Sequence, residues 1–173
     1  MSKRYRIGMY GGKFIPFHKG HDYCLSRACE ECDRVYCIMF INGADEERIW
    51  LDIDSALERY LLFNTSVRRY ANAIPVMINV RKCRKEDGSE DWDAETPLVR
   101  EIVGDKLDAV YSSEPSYDDY FKRAYPEAIH VIVDSARKKY PISGTMIRDM
   151  KKKGDEKWKM YVVGRTLENP SKQ

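Results

Sequence analysis

The strongest constraint on this chain is an alternation along it: short apolar runs rich in β-branched and aromatic residues, separated by amphipathic segments of helix length. Strands joined through helices run parallel, so the pattern predicts an α/β fold with a parallel sheet flanked by helices. The predicted strands are Tyr5–Met9, Val35–Ile41, Ile74–Val80, Ala109–Tyr111 and Ile129–Val133. Helical character runs from Gly20 to Cys32 and from Ser55 to Tyr70, where Ala56, Tyr60, Phe63 and Val67 share one face and Asp54 or Ser55 with Glu58 resembles a capping box. Residues 81–95 are charged and without periodicity, which predicts an exposed loop. In it an isolated Trp92 either packs against the body or stacks on a ligand. A helix is expected over Gly144 to Lys153, stopped by Gly154 and followed by a short element at Lys157–Val162. Residues 1–173 read as a single domain, with 154–173 as a C-terminal extension.

Composition serves mainly to exclude. The longest apolar stretch, Val35 to Ile41, falls far short of the roughly 20 residues of a membrane span, and Met1 to Tyr5 lead straight into a strand pattern without a signal-peptide core. Cytoplasm is the default expectation, with no membrane partner. The 30 basic and 28 acidic residues leave a net charge of +2, so no global field calls for nucleic acid, and anion binding must be local. The five cysteines, with Cys24, Cys29, Cys32 and Cys37 in one helix-to-strand segment, suit buried free thiols better than a disulfide framework. Cys29 and Cys32 have the spacing of a metal or redox pair but lack a second pair or nearby histidine.

Chemistry concentrates after the first strand. Gly11 and Gly12 lead through Lys13, Phe14 and an extended Ile15-Pro16 into His18-Lys19-Gly20-His21 at a helix start. A glycine turn and a helix N-terminus at the carboxyl end of a parallel strand form a natural anion site. Glycines let the backbone approach a phosphate, Lys13 adds fixed charge, and His18 and His21 share one helix face from which both can donate to a phosphate chain. Gly20 leaves helix surface bare for a base or ribose. The spacing is neither a Walker A loop nor the dinucleotide fingerprint. A second cluster, Ile142-Ser143-Gly144-Thr145-Met146-Ile147-Arg148, offers Ser143 as a helix cap, the Thr145 hydroxyl as a donor, and Arg148 one turn along to grip phosphate oxygens.

Together these clusters resemble the paired signatures of the nucleotidylyltransferase superfamily, (His/Thr)-x-Gly-His and Ile-Ser-x-Thr-x-x-Arg. Within it, the chain resembles the nicotinamide-mononucleotide adenylyltransferase domain of NadR-type proteins. Gly12-Lys13-Phe14, Glu86-Asp87-Gly88 with Trp92, Ser112-Ser113-Glu114-Pro115, Val133-Asp134 with Arg137, and Trp158-Lys159 carry that likeness. The resemblance implies a Rossmann-like parallel sheet and attack of nicotinamide mononucleotide on ATP to give NAD and pyrophosphate, with Mg²⁺ accompanying the ATP and no protein metal ligand assigned. It places His18, His21, Lys13, Thr145 and Arg148 on the triphosphate, Trp92 on the nicotinamide, and Ser112 and Ser113 near the adenine. Arg137 is expected on a phosphate or in a salt bridge to Asp134 or Asp149. No Walker A loop follows and no DNA-binding helix pair precedes the domain, so kinase and regulatory roles are not carried over.

Competing readings keep the fold and change the acceptor to phosphopantetheine, FMN or a phosphoalcohol. Cytidylyl transfer is disfavoured because an Arg-Thr-x-Gly-Ile-Ser-Thr-Thr run is replaced here by Arg137-Lys138-Lys139-Tyr140-Pro141-Ile142-Ser143-Gly144-Thr145. A sensing or nucleic-acid-binding module could be argued from Lys151-Lys152-Lys153, but lysines at a helix end more simply complement the helix dipole. A homo-oligomer is compatible with the sequence.

Overall fold

The computed structural model describes residues 2–43 and 53–167, with the backbone alone at 53–55. Five parallel strands, β1 (Tyr5–Gly12), β2 (Cys32–Ile41), β3 (Ala73–Asn79), β4 (Ala109–Ser112) and β5 (Ile129–Ile132), form a sheet in the order β3-β2-β1-β4-β5. The chain moves outward from β1 to β3 on one side and from β4 to β5 on the other. The connection therefore reverses between β1 and β4, and the crevice outside the carboxyl ends of these strands is where such sheets bind ligands.

Each strand was legible within a few residues, and the largest difference lies in β1. Gly11 and Gly12 are not a turn. They continue the ladder, opposite Ile38 and Met39. A Cβ on Gly11 would lie 2.8 Å from Phe40 Cε2, so closeness to that ring demands the glycine. The chain turns one step later, where Phe14 has a φ of 48°.

Strand alternation sorts the core into two layers. Tyr10, Cys37, Met39 and Tyr111 face one side, covered by α1 (Lys19–Glu31) and α2 (Ile53–Val67) through Leu25, Ala28, Phe63 and Val67. Met9, Ile38 and Val110 face the other, covered by Val99 and Val103 of α3 (Trp92–Val103) and by Tyr125 at the end of α4 (Asp118–Ala124). Helices on both faces of a wholly parallel sheet make the fold Rossmann-like. A smaller cluster of Leu62, Ile142, Ile147, Trp158 and Val162 seats α5 (Gly144–Lys152) and a final 3₁₀ turn (Glu156–Tyr161) on α2, with Lys151 paired to Glu58. Gly154 ends α5 at φ 68°. The side chains of the proposed Asp54/Ser55 cap, and residues 168–173 of the extension, lie outside the described part.

The segment 81–95 departs from the expected loop. Cys83 is buried in the second core layer, Arg84 and Glu90 form an antiparallel bridge around the Lys85–Ser89 turn, and a helix begins inside the charged run at Trp92. Asp91 supplies the reason. Its Oδ1 accepts the Ala94 N–H at 3.1 Å and caps α3, while Val99 and Val103 drive the inner face into the core. All five cysteines are free and buried; desolvation pushes the thiols of Cys24 and Cys29 up to about 12, far from reactive thiolates.

Gly8 tests how tightly the sheet is packed. A Cβ there would lie 2.5 Å from Cys32 Sγ and 3.3 Å from Tyr111 Cε2. Gly8→Ala is expected to cost about 1–3 kcal/mol in urea denaturation through overpacking. Gly8→Ala with Cys32→Ala should recover part of the loss.

Candidate active site

At the carboxyl ends of β1 and β4 the strands open into a cleft of about 620 Å³. The residues assigned from the sequence to a phosphate, nucleotide or acceptor site line it: Gly11, Gly12, Lys13, Phe14, His18, Gly20, His21, Trp92, Ser112, Ser113, Arg137, Ser143, Thr145 and Arg148. They come from five separate stretches of chain, and the sheet's reversal brings them together.

His18 is the N-cap of α1. Its Nδ1 accepts the Gly20 N–H at 3.1 Å, and His21 Nδ1 accepts the His18 N–H at 3.2 Å, a reciprocal capping box built from imidazoles. The rings stack with centroids 3.7 Å apart. An Nδ1 that accepts carries no proton, so each neutral ring holds its proton on Nε2. Burial lowers the His18 pKa to about 4, with a further push from the Arg137 charge; burial, then His18, then Arg137 hold His21 well below the ordinary value. The pair thus presents two neutral N–H donors near neutral pH.

Arg148 donates from Nη1 to the Ile15 carbonyl at 2.6 Å and from Nη2 to Thr145 Oγ1 at 3.1 Å, which leaves the Thr145 hydroxyl proton available to donate. Ser143 Oγ accepts the Met146 N–H at 3.2 Å and caps α5 as expected. Gly144 is required by contact: a Cβ would lie 2.6 Å from the Ile15 carbonyl oxygen. The two sequence clusters therefore meet at one peptide group.

Glu90, read from sequence as part of a solvated run, is a hub. It accepts from Lys13 Nζ at 2.5 Å, from Asn42 Nδ2, and from Trp92 Nε1 at 3.1 Å; Asn42 in turn accepts from Arg84. Buried Arg59 braces the same turn from below, donating from Nη2 to the Lys13 carbonyl at 2.5 Å. Trp92 packs edge-on to Tyr117 and Tyr120, with centroids 5.0 and 5.3 Å away, while still lining the cleft. Packing and ligand access are thus compatible. Beside it Glu95 is buried, and desolvation followed by repulsion from Glu90 raises its carboxyl to about 7.

Phe14, offered by the sequence as a phosphate-site residue, lines the cleft and also packs in the core, and two expectations are corrected, the bare surface at Gly20 and the Arg137 pairing. Phe14 packs: its ring stacks on Phe63 at 5.5 Å and supports His21 edge-on at 5.0 Å, because the turn aims it into the core. The space left by Gly20 is taken by the His18 ring, 3.0 Å from where a Cβ would stand. Arg137 pairs with neither Asp134 nor Asp149. Its Nη2 reaches Glu114 at 3.4 Å, while Asp134 accepts the N–H groups of Lys138 and Lys139. Asn42, Glu90, Glu95, Tyr117 and Tyr120 were not found from sequence, since nothing in their spacing marks them; only long-range packing brings them to the cleft.

Among the described residues no group of three carboxylate, histidine or cysteine ligands converges, and no helix is long and apolar enough to cross a membrane. A doubly covered parallel sheet with a histidine-capped helix start at its reversal, faced by a threonine–arginine pair, is the arrangement of a nucleotidyltransferase. The chain belongs to the cytidylyltransferase-like family, whose model matches residues 9–150. It is 28% identical over 152 residues to the trifunctional NAD biosynthesis/regulator protein NadR of Escherichia coli, covering 83% of this chain but 36% of that protein. It is 30% identical over 157 residues to the nicotinamide-nucleotide adenylyltransferase of Methanocorpusculum labreanum, covering 91% and 85%. A third relative, the phosphopantetheine adenylyltransferase of Mycoplasma capricolum, is 26% identical over 151 residues, covering 84% and 96%. The crystal structure of NadR in complex with NAD and AMP-PNP shares the fold, with a TM-score of 0.65 at 21% identity over 93% of this chain and 46% of that one. The chain thus spans little more than a third of the length of the NadR relative.

The depressed histidines couple folding to pH. Between the ordinary value of 6.5 and about 4, the unfolded chain binds a proton at His18 that the folded chain refuses. This stability is full above 6.5 and is lost as pH falls toward 4. Urea midpoints should decline across that window. His18→Asn, which can still cap but does not titrate, should flatten the decline.

Proposed function

We propose that this chain transfers the AMP portion of MgATP to nicotinamide mononucleotide, forming NAD and pyrophosphate. The observation that carries the reading is the stacked, neutral His18–His21 pair in one cleft with Arg148, Thr145 and the Trp92 wall. The phosphate oxygen of nicotinamide mononucleotide attacks the α-phosphorus in line, forming the new P–O bond as the bond to the β-phosphate bridging oxygen breaks. Pyrophosphate carries away the electron pair, and no covalent enzyme intermediate forms. The Nε2–H groups of His18 and His21 donate to phosphate oxygens whose charge rises in the transition state, His21 nearest the α-phosphate. Neutral donors suit this role because they hold no proton that must be lost or gained during turnover. Lys13, Thr145 and Arg148 hold the leaving pyrophosphate, Lys13 exchanging Glu90 for phosphate. Mg²⁺ accompanies the triphosphate and lowers its charge; with no converging ligand set among the described residues, none of them is assigned to it.

At the acceptor, Trp92 offers an indole face to the cationic nicotinamide ring, worth about 0.5–2 kcal/mol. Glu90 and Glu95 add carboxyl groups to the same wall, which favours a cationic ring with an uncharged amide. The relatives named NadR and nicotinamide-nucleotide adenylyltransferase support this acceptor. The phosphopantetheine adenylyltransferase relative supports a second reading, adenylyl transfer to phosphopantetheine. Trp92 supports the first reading, because a flexible aliphatic acceptor has no use for its aromatic face.

Incubation with MgATP and a panel of phosphorylated acceptors, with products identified by mass, is expected to yield NAD from nicotinamide mononucleotide. Dephospho-coenzyme A as the main product would replace this reading with the second. His21→Ala should lower kcat by about 10²–10³-fold; near-normal turnover removes His21 from the mechanism. Trp92→Ala should raise KM for nicotinamide mononucleotide and leave that for ATP nearly unchanged, whereas equal effects on both would reduce Trp92 to packing.

A further inference from the structure

Behind the cleft wall formed by the end of β4 lies a chain of side chains that the proposed reaction does not use. Ser112 Oγ lies 2.7 Å from His130 Nε2, and His130 Nδ1 lies 3.1 Å from Asp118 Oδ1. The His130 side chain is only 4% exposed and its ring sits edge-on to Phe121 at 4.8 Å, so its orientation is fixed. Ser112 lines the cleft, whereas His130 and Asp118 do not.

The direction of these hydrogen bonds follows from chemistry. Lys122, bonded to the other Asp118 oxygen at 2.5 Å, and then His130 hold the Asp118 carboxyl below its usual range. An ionised carboxylate only accepts, so His130 donates from Nδ1, and in its neutral form the ring keeps a lone pair on Nε2. The Ser112 hydroxyl then donates to Nε2 at 2.7 Å in preference to the more distant Glu114 carbonyl at 3.3 Å, and its oxygen accepts the Glu114 N–H at 3.2 Å. The turn after β4 is pinned in this way. From the same turn Glu114 reaches Arg137, whose charge helps keep His18 and His21 neutral. The constellation resembles a nucleophilic triad, but Ser112 is buried and its oxygen already accepts a backbone N–H. Its product is position.

We propose that His130 and Asp118 are positioning residues which, through Ser112 and the turn to Glu114, set the wall of the cleft that receives the donor nucleotide. This rests on the adenylyl-transfer reading only in assigning that wall to ATP. The same geometry predicts that His130 is the one histidine of the three with its proton on Nδ1.

Long-range ¹H–¹⁵N spectra of the wild-type protein read the tautomers directly. Expected are two Nε2–H rings and one Nδ1–H ring, the latter absent from the spectrum of His130→Gln; an Nε2–H tautomer at His130 overturns the relay. Binding of AMP-PNP with Mg²⁺, measured by calorimetry without acceptor, should weaken about tenfold in His130→Ala and Asp118→Ala. His130→Gln, whose amide oxygen can reach the Nε2 position and accept from Ser112, should restore most of the affinity. In turnover, KM for ATP should rise in the alanine variants while KM for the acceptor stays level. Unchanged nucleotide affinity, or equal rises in both constants, overturns the proposal. A wild-type protein that binds AMP-PNP but does not adenylate nicotinamide mononucleotide overturns the acceptor assignment alone, and one that binds no nucleotide overturns both.

Discussion

The site depends on how two backbone N–H groups at the start of α1 are satisfied. A helix start leaves such donors without partners, and here the partners are imidazole nitrogens in place of the usual hydroxyl or carboxylate. That substitution fixes the tautomer of each ring, since an accepting Nδ1 leaves the proton on Nε2. A capping interaction, ordinarily a matter of local stability, thereby determines which atom is left to donate. Burial then keeps both rings uncharged, as protonation at Nδ1 would also break the cap.

Around this point the fold acts as a frame. The sheet's reversal between β1 and β4 brings the helix start, the turn after β4 and α5 to one crevice. Braces hold the pieces: buried Arg59 under the Lys13 turn, buried Phe14 under His21, and the half-buried Asp118 with His130 behind Ser112. None of these needs to touch a substrate to affect the reaction, because catalysis by placed donors is sensitive to small displacements.

The sheet and its flanking helices were legible in the sequence because burial imposes periodicity, and Val35–Ile41 or the face carrying Phe63 and Val67 shows it plainly. The glycine–histidine and serine–threonine–arginine clusters were legible because close backbone approach and capping restrict residue identity locally. What escaped was the chemistry of charged residues whose partners are distant in sequence. Glu90 looks like any solvated acid until Lys13, Asn42 and Trp92 converge on it, and His130 reads as one more residue of a short strand. The helix at Trp92 was missed for a related reason: its cap, Asp91, stands among so many charges that none marks a beginning.

The junction at Ile15 bears on how the molecule assembles. Arg148 meets the Ile15 carbonyl across 133 positions of chain, with Gly144 packed against the same group, a far longer closure than the β1–β2 pairing that sets the register of the sheet. Contacts of such separation cost the most loop entropy. The Arg148 side of the cleft is therefore expected to form after the sheet. The helix α5 rests on a small cluster apart from the two main core layers, so it is expected to detach before they do. A partial opening there separates the two halves of the site while the sheet persists, so under stress catalytic competence has a lower threshold than the fold that carries it.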